Sequence, residues 1–519
     1  MKDKDYRLSE DTRDPDLEVV VDGTVETVKV YRSVAKAEPM PGHIVPITYL
    51  LLEHELFLRR PEIYPNCMTD SDALCFFSIW CQAVGALLVR HKVHVFHCPD
   101  YHTSIAPLYA LKELPSLRVL LILHNAAYHG NIATDMVSGQ RLAALSRMFN
   151  LPMEELHDFC LHEGRFNMLR AAAEIIRRQD GTGALAVSEA YAKEVQHDYS
   201  FFRSIQIRGL DNPMEEAART AITNAIRDAG GVNQAKLNAK LACQETFGLN
   251  VDAQARLVVF LGRMVKQKGT DLIADITSWM LDSFESTQLI FVGPVGDAHG
   301  IYTKHKVEAL AQEERYKGRL YACCKFISVP QSLYLGADFC FMPSRDEPFG
   351  YVDIEFAWRG ALSIGAAVGG LGKVPGFYYR VDDRENDSHL KEGLMAATTM
   401  AMQCPWEELE VLRNRAMNST FPVRTWQAML HWLTSQQICA SLSARSAVPT
   451  AVQEVQGGDK AKTMLPTYRD LPQQNAFQPE MTMDELSATV ETVLQERPET
   501  VLKDILVEAG MNNDMAYET

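Results

Sequence analysis

The sequence predicts an α/β protein built as two successive open sheets. Three observations carry that prediction. Short apolar runs alternate with stretches of helical period. The alternation starts afresh at Arg256–Leu261, after a long polar helical stretch. The chain's 519 residues exceed what one ordinary core accommodates. Hydrophobic residues make up 47% and charged residues 23%, which are globular values. The net charge of −16 argues against nonspecific attraction to nucleic acid or to an anionic membrane. Eleven cysteines, an odd number with no CxxC, read as reduced thiols in a cytosolic setting. The charged stretch 1–16 has no signal-like apolar segment and is expected to fray. No run approaches the roughly 20 apolar residues of a membrane span.

In the first half, Leu17–Val21 and Thr24–Val30 flank Asp22-Gly23 and read as a hairpin. Ile47–Leu52 reads as a further strand, and Ser71–Val89 has a helical apolar period. Val93–His97 and Val119–His124 are short strands separated by a helical stretch around 105–113. The first leads into His97, Asp100 and His102, the second into His124, Asn125 and Tyr128. Ligands of open α/β sheets bind beyond the carboxyl ends of the strands, so these are site candidates by position. His94, His97, Cys98, Asp100 and His102 show no recognisable zinc spacing, and no metal is assigned to them. Arg165–Arg178 reads as a helix with Phe166, Leu169, Ala173 and Ile176 on one face. Ala184–Val187 reads as a strand, and Ser188 as the N-cap of a helix through Val195. Asp211-Asn212-Pro213 is a turn. The polar helical stretch to about Leu249 breaks at Gly230-Gly231, where the domain boundary is placed.

In the second half, Arg256–Leu261, Leu289–Val292, Ala337–Met342 and Ala361–Ile364 read as strands. The turn after the first carries Arg263 and Lys268. A guanidinium fork and a mobile ammonium suit phosphate, and they would stabilise charge on a departing diphosphate. No DxD-type acidic pair stands beside them, so the cations take the part that Mg²⁺ plays elsewhere. The strand ending at Met342 leads into Pro343–Gly350 and a helix-like stretch. Glu347 is expected at the helix start and Glu355 eight residues on, so that both project from one face. Backbone N–H groups at that start suit an anion. Gly365, Gly369, Gly370 and Gly372 form a loop that brings N–H groups close to phosphate, although it is neither a P-loop nor GxGxxG. Together these groups suit a polyhydroxylated ligand carrying phosphate. Trp426, Met429, Leu430 and Leu433 mark a packed helix. Residues 445–480 read as a linker, and Thr482 to Glu485 opens a helical tail with a capping-box pattern.

These motifs resemble retaining GT-B glycosyltransferases, and among them the glycogen and starch synthase family. The synthase part of fungal-type cell-wall α-1,3-glucan synthases is the nearest in pattern. The resemblance runs from about Ile47 to Trp432. It rests on His97–His102, on Leu123–Gly130 (Leu-His-Asn-Ala-Ala-Tyr-His-Gly), on Gly262–Gly269 and on Phe291–Val295. It rests further on Pro343–Gly350, Arg359–Leu362, Val368–Gly372 and Pro375-Gly376.

The resemblance implies an α/β fold of GT-B type, two Rossmann-like domains facing across a cleft with a C-terminal helical tail. The domains would be 17–230 on the acceptor side and 231–437 on the nucleotide-sugar side, after a frayed 1–16. A linker at 445–480 and the tail at 481–519 would follow, the tail offering a surface to a protein partner. The implied reaction moves glucose from UDP-glucose or ADP-glucose to an α-glucan, with no cofactor. Arg263 and Lys268 would hold the donor diphosphate, Glu347 the donor glucose and Glu355 the ribose. Gly369, Gly370 and Leu371 would cradle the pyrophosphate. His124 would stabilise the transferring glucosyl unit, with Asp100 close to the sugar or acceptor. The implied location is cytoplasmic, or attached to a membrane or plastid through partners. One family element, a Lys-x-Gly-Gly-Leu loop after the first strand, has no counterpart, since Gly-Gly occurs only at 230–231, 369–370 and 457–458. The rival reading is therefore a truncated or catalytically degenerate glucan-binding or regulatory homologue. A pyridoxal-phosphate-dependent phosphorylase is a third, for which no lysine context stands out.

Overall fold

The computed structural model describes residues 13–40, 43–58, 70–128, 130 and 136–447. Cys67, His129 and the expected helical tail at 481–519 lie outside the described residues, as do 1–12 and 448–480. The chain divides into two compact units. One holds the described residues up to Leu185, with Val195–Ile207 and the chain from Met429 onward; the other holds Ala186–Glu194 and Arg208–Ala428.

The first unit opens with β1 (Arg13–Val21) and β2 (Thr24–Met40), antiparallel about Asp22-Gly23. Both turn residues have positive φ, 48° and 80°, as a two-residue hairpin turn requires. β3 (His43–Glu53) completes a three-stranded sheet in the order β1-β2-β3. Residues 13–16, expected to fray, instead begin β1. Arg13 forks onto Asp16, and Arg90 donates to the Pro15 and Asp16 carbonyls, so this end of the strand is tied down. After the short α1 (Glu55–Leu58) comes α2 (Asp70–Arg90). Leu17, Val19 and Val21 alternate along β1 and meet Ile79, Ala83 and Leu87, four residues apart on one face of α2. Each larger aliphatic side chain buried here contributes roughly 1.5–3 kcal/mol. By length and composition the Ser71–Arg90 stretch could cross a membrane, which corrects the expectation that no run comes close. Ser78 and Gln82 interrupt the run in sequence, and 61% of the stretch is buried as a core helix of this unit.

The chain continues through β4 (Val95–Pro99), α3 (Ala106–Ala110) and β5 (Arg118–Leu123). Next come α4 (Gly139–Phe149), α5 (Met153–Cys160), and the paired strands β6 (Leu161–His162) and β7 (Arg165–Phe166). α6 (Met168–Arg178), β8 (Ala184–Ala186), α7 (Glu189–Asp198) and β9 (Ile207–Gly209) follow. The second sheet has the order β4-β5-β8-β9, with β4 and β5 parallel. The helix expected from Arg165 begins only at Met168, because Arg165 pairs with His162 across a turn at Glu163-Gly164. Asn167 caps it, accepting from Arg170 N at 3.0 Å. Ser188 caps α7 as expected, accepting from Tyr191 N at 3.2 Å.

Beyond Ala186–Glu194 and the chain from Arg208, the second unit holds α8 (Glu216–Asp228) and α9 (Val232–Thr246), separated by Gly230 and Gly231, both at positive φ. β10 (Arg256–Leu261), α10 (Thr270–Ser283), β11 (Thr287–Val292), α11 (Ala298–Gln312) and β12 (Leu320–Cys323) form the first half of its sheet. α12 (Gln331–Gly336), β13 (Phe339–Met342), α13 (Val352–Ala357), β14 (Leu362–Ala367) and β15 (Gly376–Arg380) form the second half. α14 (Asp387–Gln403), α15 (Trp406–Met417) and α16 (Val423–Ala447) close the described chain. All six strands pair in parallel, in the order β12-β11-β10-β13-β14-β15. β11 is buried along its whole length, as a parallel strand covered on both faces must be. The chain moves outward from β10 to β12, then starts again on the other side at β13. That reversal opens a crevice where the loops leave the carboxyl ends of β10 and β13.

Candidate functional site

The loop after β10 ends in a short turn, Lys266–Lys268, closed by Gly269 at φ 63°. A Cβ on Gly269 would lie 2.1 Å from the Pro343 carbonyl, so only glycine lets this loop touch the one after β13. Arg345 N donates to Gln267 O at 2.8 Å and joins the two loops again. This contact brings Lys268 and Glu347 together as an ion pair. Glu347 Oε2 also accepts from Ser344 Oγ at 3.1 Å, and the residue is only 7% exposed.

The expectation that Glu347 and Glu355 share a helix face is wrong. α13 begins at Val352, so only Glu355 is helical. Pro348 and Gly350, the latter at φ 81°, hold the intervening chain in a loop. Glu355 is half-buried; burial raises its carboxyl pKa and Arg359 partly offsets the effect. Arg263 is exposed on the β10 loop and takes no part in the Lys268–Glu347 contact.

The glycine loop after β14 packs directly onto Glu347–Phe349. Gly369 has φ 50°, and a Cβ there would lie 2.1 Å from the Glu347 carbonyl. Gly370 N donates to that carbonyl at 2.9 Å, Leu371 N to Val368 O at 3.0 Å, and Gly369 N to Glu194 Oε1 at 2.7 Å. The three N–H groups expected to face an anion are thus all engaged within the chain.

Several supporting residues are not among those singled out from the sequence. Lys373 is partly buried and donates to Asp353 at 2.7 and 2.9 Å, to Phe349 O at 2.5 Å and to Gly370 O at 3.1 Å. It pins the Glu347 loop, α13 and the glycine loop to one another. Burial pushes the Asp353 carboxyl up to about 6, against the pull of Lys373. Arg345 forks onto Asp271 at 2.6 and 2.8 Å and reaches Asp387 at 2.6 Å. Burial also pushes Asp346 up to about 6, and both its carboxylate oxygens are buried without a hydrogen bond. Lys373 directly follows the glycine loop, which was the one available signal; nothing local marks Asp346.

In the first unit, Asp100 follows β4 at φ 47° and is 9% exposed. Its Oδ1 accepts from His124 N at 2.8 Å and from Asn125 N at 3.0 Å, which fixes the turn after β5 and leaves His124 exposed. His97 Nε2 lies 3.1 Å from Thr434 Oγ1, and His102 stacks on Tyr101. Among the described residues no group of three or more His, Cys, Asp or Glu could hold a metal ion. All ten described cysteines are free thiols.

The family profile described as "Starch synthase catalytic domain" matches residues 4–213. The chain is 34% identical over 464 residues to the cell wall alpha-1,3-glucan synthase ags1 of Schizosaccharomyces pombe. That match covers 86% of this chain and 19% of the yeast protein, so the chain spans less than a fifth of that relative's length. The glycogen synthase of Gloeobacter violaceus is 28% identical, with 78% of this chain and 82% of that one covered. Among solved structures, the catalytic domain of starch synthase IV from Arabidopsis thaliana, bound to ADP and acarbose, has the same fold. It aligns with a TM-score of 0.62 at 20% identity, over 83% of this chain and 90% of that one. With two Rossmann-like units and C-terminal helices, the chain has the GT-B architecture and is closely related to the fungal alpha-1,3-glucan, starch and glycogen synthase family.

Proposed function

We propose that the chain is a retaining glucosyltransferase that moves glucose from UDP-glucose or ADP-glucose onto an α-glucan. The observation that carries this reading is the convergence of Lys268, Glu347 and the glycine loop where the strand order of the second unit reverses. In this reading Lys268 exchanges Glu347 for the donor diphosphate, and Arg263 joins it there. Glu347, released, accepts from hydroxyls of the donor glucose, and Glu355 takes the ribose. The Gly369–Leu371 loop cradles the pyrophosphate, with Gly370 N–H and Leu371 N–H kept on backbone carbonyls to hold the loop's shape. In the first unit His124 stabilises the transferring glucosyl unit, and Asp100, near the sugar or acceptor, sets the turn that presents it. The anomeric carbon–diphosphate bond breaks through an oxocarbenium-like state, and the acceptor hydroxyl attacks from the same face. Its proton passes to the departing diphosphate, whose charge Lys268 and Arg263 stabilise. No enzymic nucleophile is assigned.

Calorimetric titration with UDP-glucose and ADP-glucose tests this. One of them binds saturably, and Lys268→Ala weakens that binding roughly 10- to 150-fold, the loss of one charge-assisted contact. Binding of neither donor would overturn the reading.

A further inference from the structure

Of the three glycine-loop amides, only that of Gly369 is held by a side chain. Gly370 N and Leu371 N donate to backbone carbonyls of the site's own loops. Gly369 N donates to Glu194 Oε1 at 2.7 Å, and Glu194 Oε2 accepts from Arg384 at 2.7 Å. Glu194 therefore lies with one oxygen on a glycine N–H and the other on a guanidinium. These are the partners that two phosphate oxygens would take, and a carboxylate is the protein group that best imitates them.

Asp346 adds an independent observation. Its two oxygens are buried without a hydrogen bond, and Oδ1 lies 3.8 Å from Arg384. Were Glu194 to leave, the Asp346 carboxylate, 3.8 Å away, would still attract the Arg384 guanidinium beside the vacated site. Ser188 Oγ, at the start of the same helix, donates to Pro348 O at 2.9 Å and can keep α7 anchored while the Glu194 side chain swings away.

We propose that Gly369 N–H and Arg384 form a phosphate subsite, and that Glu194 is its resident occupant, displaced when a nucleoside diphosphate binds. The proposal rests on the reading of the second unit as a nucleotide-sugar site. It assigns Arg384 to donor binding and makes Glu194 a competitor of the donor rather than a ligand. If Glu194 were only a brace for the glycine loop, its removal would loosen the loop and weaken binding. The two roles therefore predict opposite signs.

The experiment titrates UDP and ADP calorimetrically into the full chain and into Glu194→Ala, Glu194→Gln, Arg384→Ala and Lys268→Ala. Uridine and adenosine serve as probes without phosphate. Glu194→Ala is expected to tighten diphosphate binding roughly fivefold or more, with nucleoside binding unchanged. Arg384→Ala is expected to weaken it at least as much. Glu194→Gln keeps an acceptor for Gly369 N–H but loses the charge facing Arg384; it is expected to tighten binding too, and it covers the case of an Ala variant that fails to fold. Weaker or unchanged diphosphate binding in folded Glu194 variants would overturn the proposal. If the wild type still binds and Lys268→Ala weakens that binding, the nucleotide-sugar reading survives this failure. If neither the wild type nor any variant binds UDP or ADP, the reading and the proposal fall together.

Discussion

Asp346 is a carboxylate taken out of water without a hydrogen bond, with Arg384 at 3.8 Å as a distant counter-charge. Burial therefore favours its neutral form and pushes it from 3.8 up to about 6. A carboxyl raised in this way binds its proton more tightly folded than unfolded. The stabilisation is fully present below the unfolded value of 3.8 and is lost as pH rises through about 6. The loss by pH 8 is of the order of 3 kcal/mol. Asp346→Asn abolishes the titration, so its stability relative to wild type is expected to be higher at pH 8 than at pH 5. Denaturant unfolding at the two pH values checks this; a difference independent of pH would contradict it. Sequence reading reaches Lys268, Glu347 and Gly369 because charges and glycines just past strand ends are informative without knowledge of packing. It does not reach Asp346, whose isolation depends on how Arg345 and Arg384 are tied up by residues far along the chain.

At the scale of elements, the second unit is joined around Asp338, which immediately precedes β13. Asp338 pairs with Lys240 of α9 at 2.6 Å and Arg413 of α15 at 2.7 Å, and accepts from Leu257 N of β10 at 2.9 Å. Burial alone would raise its carboxyl, but Lys240, Lys236 and Arg413 hold it below the ordinary value of 3.8. Its contribution is therefore present above that value and lost as pH falls below it. Asp338→Ala would leave Lys240 and Arg413 buried without their partner, at a cost of about 3–5 kcal/mol. Equilibrium unfolding measures this, and a loss below about 1 kcal/mol would show that the network relaxes freely. The hairpin at Asp22-Gly23 and β10 are legible because turn chemistry and a short apolar run are local signals. The start of α13 is not. Its delay to Val352 reflects Pro348, Gly350 and the packing of Gly369 on the Glu347 carbonyl, a contact more than twenty residues away in sequence.

For the whole molecule, the division into two α/β units follows from alternating strands and helices, but the strand order of the six-stranded sheet does not. That order places the β10 and β13 loops side by side and so turns Lys268 and Glu347 from separate motifs into one site. The chain spans less than a fifth of the yeast synthase it matches, yet includes both Rossmann-like units. The proposed function is transfer of glucose to an α-glucan. Its most direct test is incorporation of radiolabelled glucose from UDP-glucose or ADP-glucose into an α-glucan primer by the purified chain. The expected result is incorporation from one donor with the α configuration retained, abolished by Lys268→Ala. No incorporation from either donor, with nucleotide binding intact, would contradict the claim and leave a glucan-binding homologue without turnover.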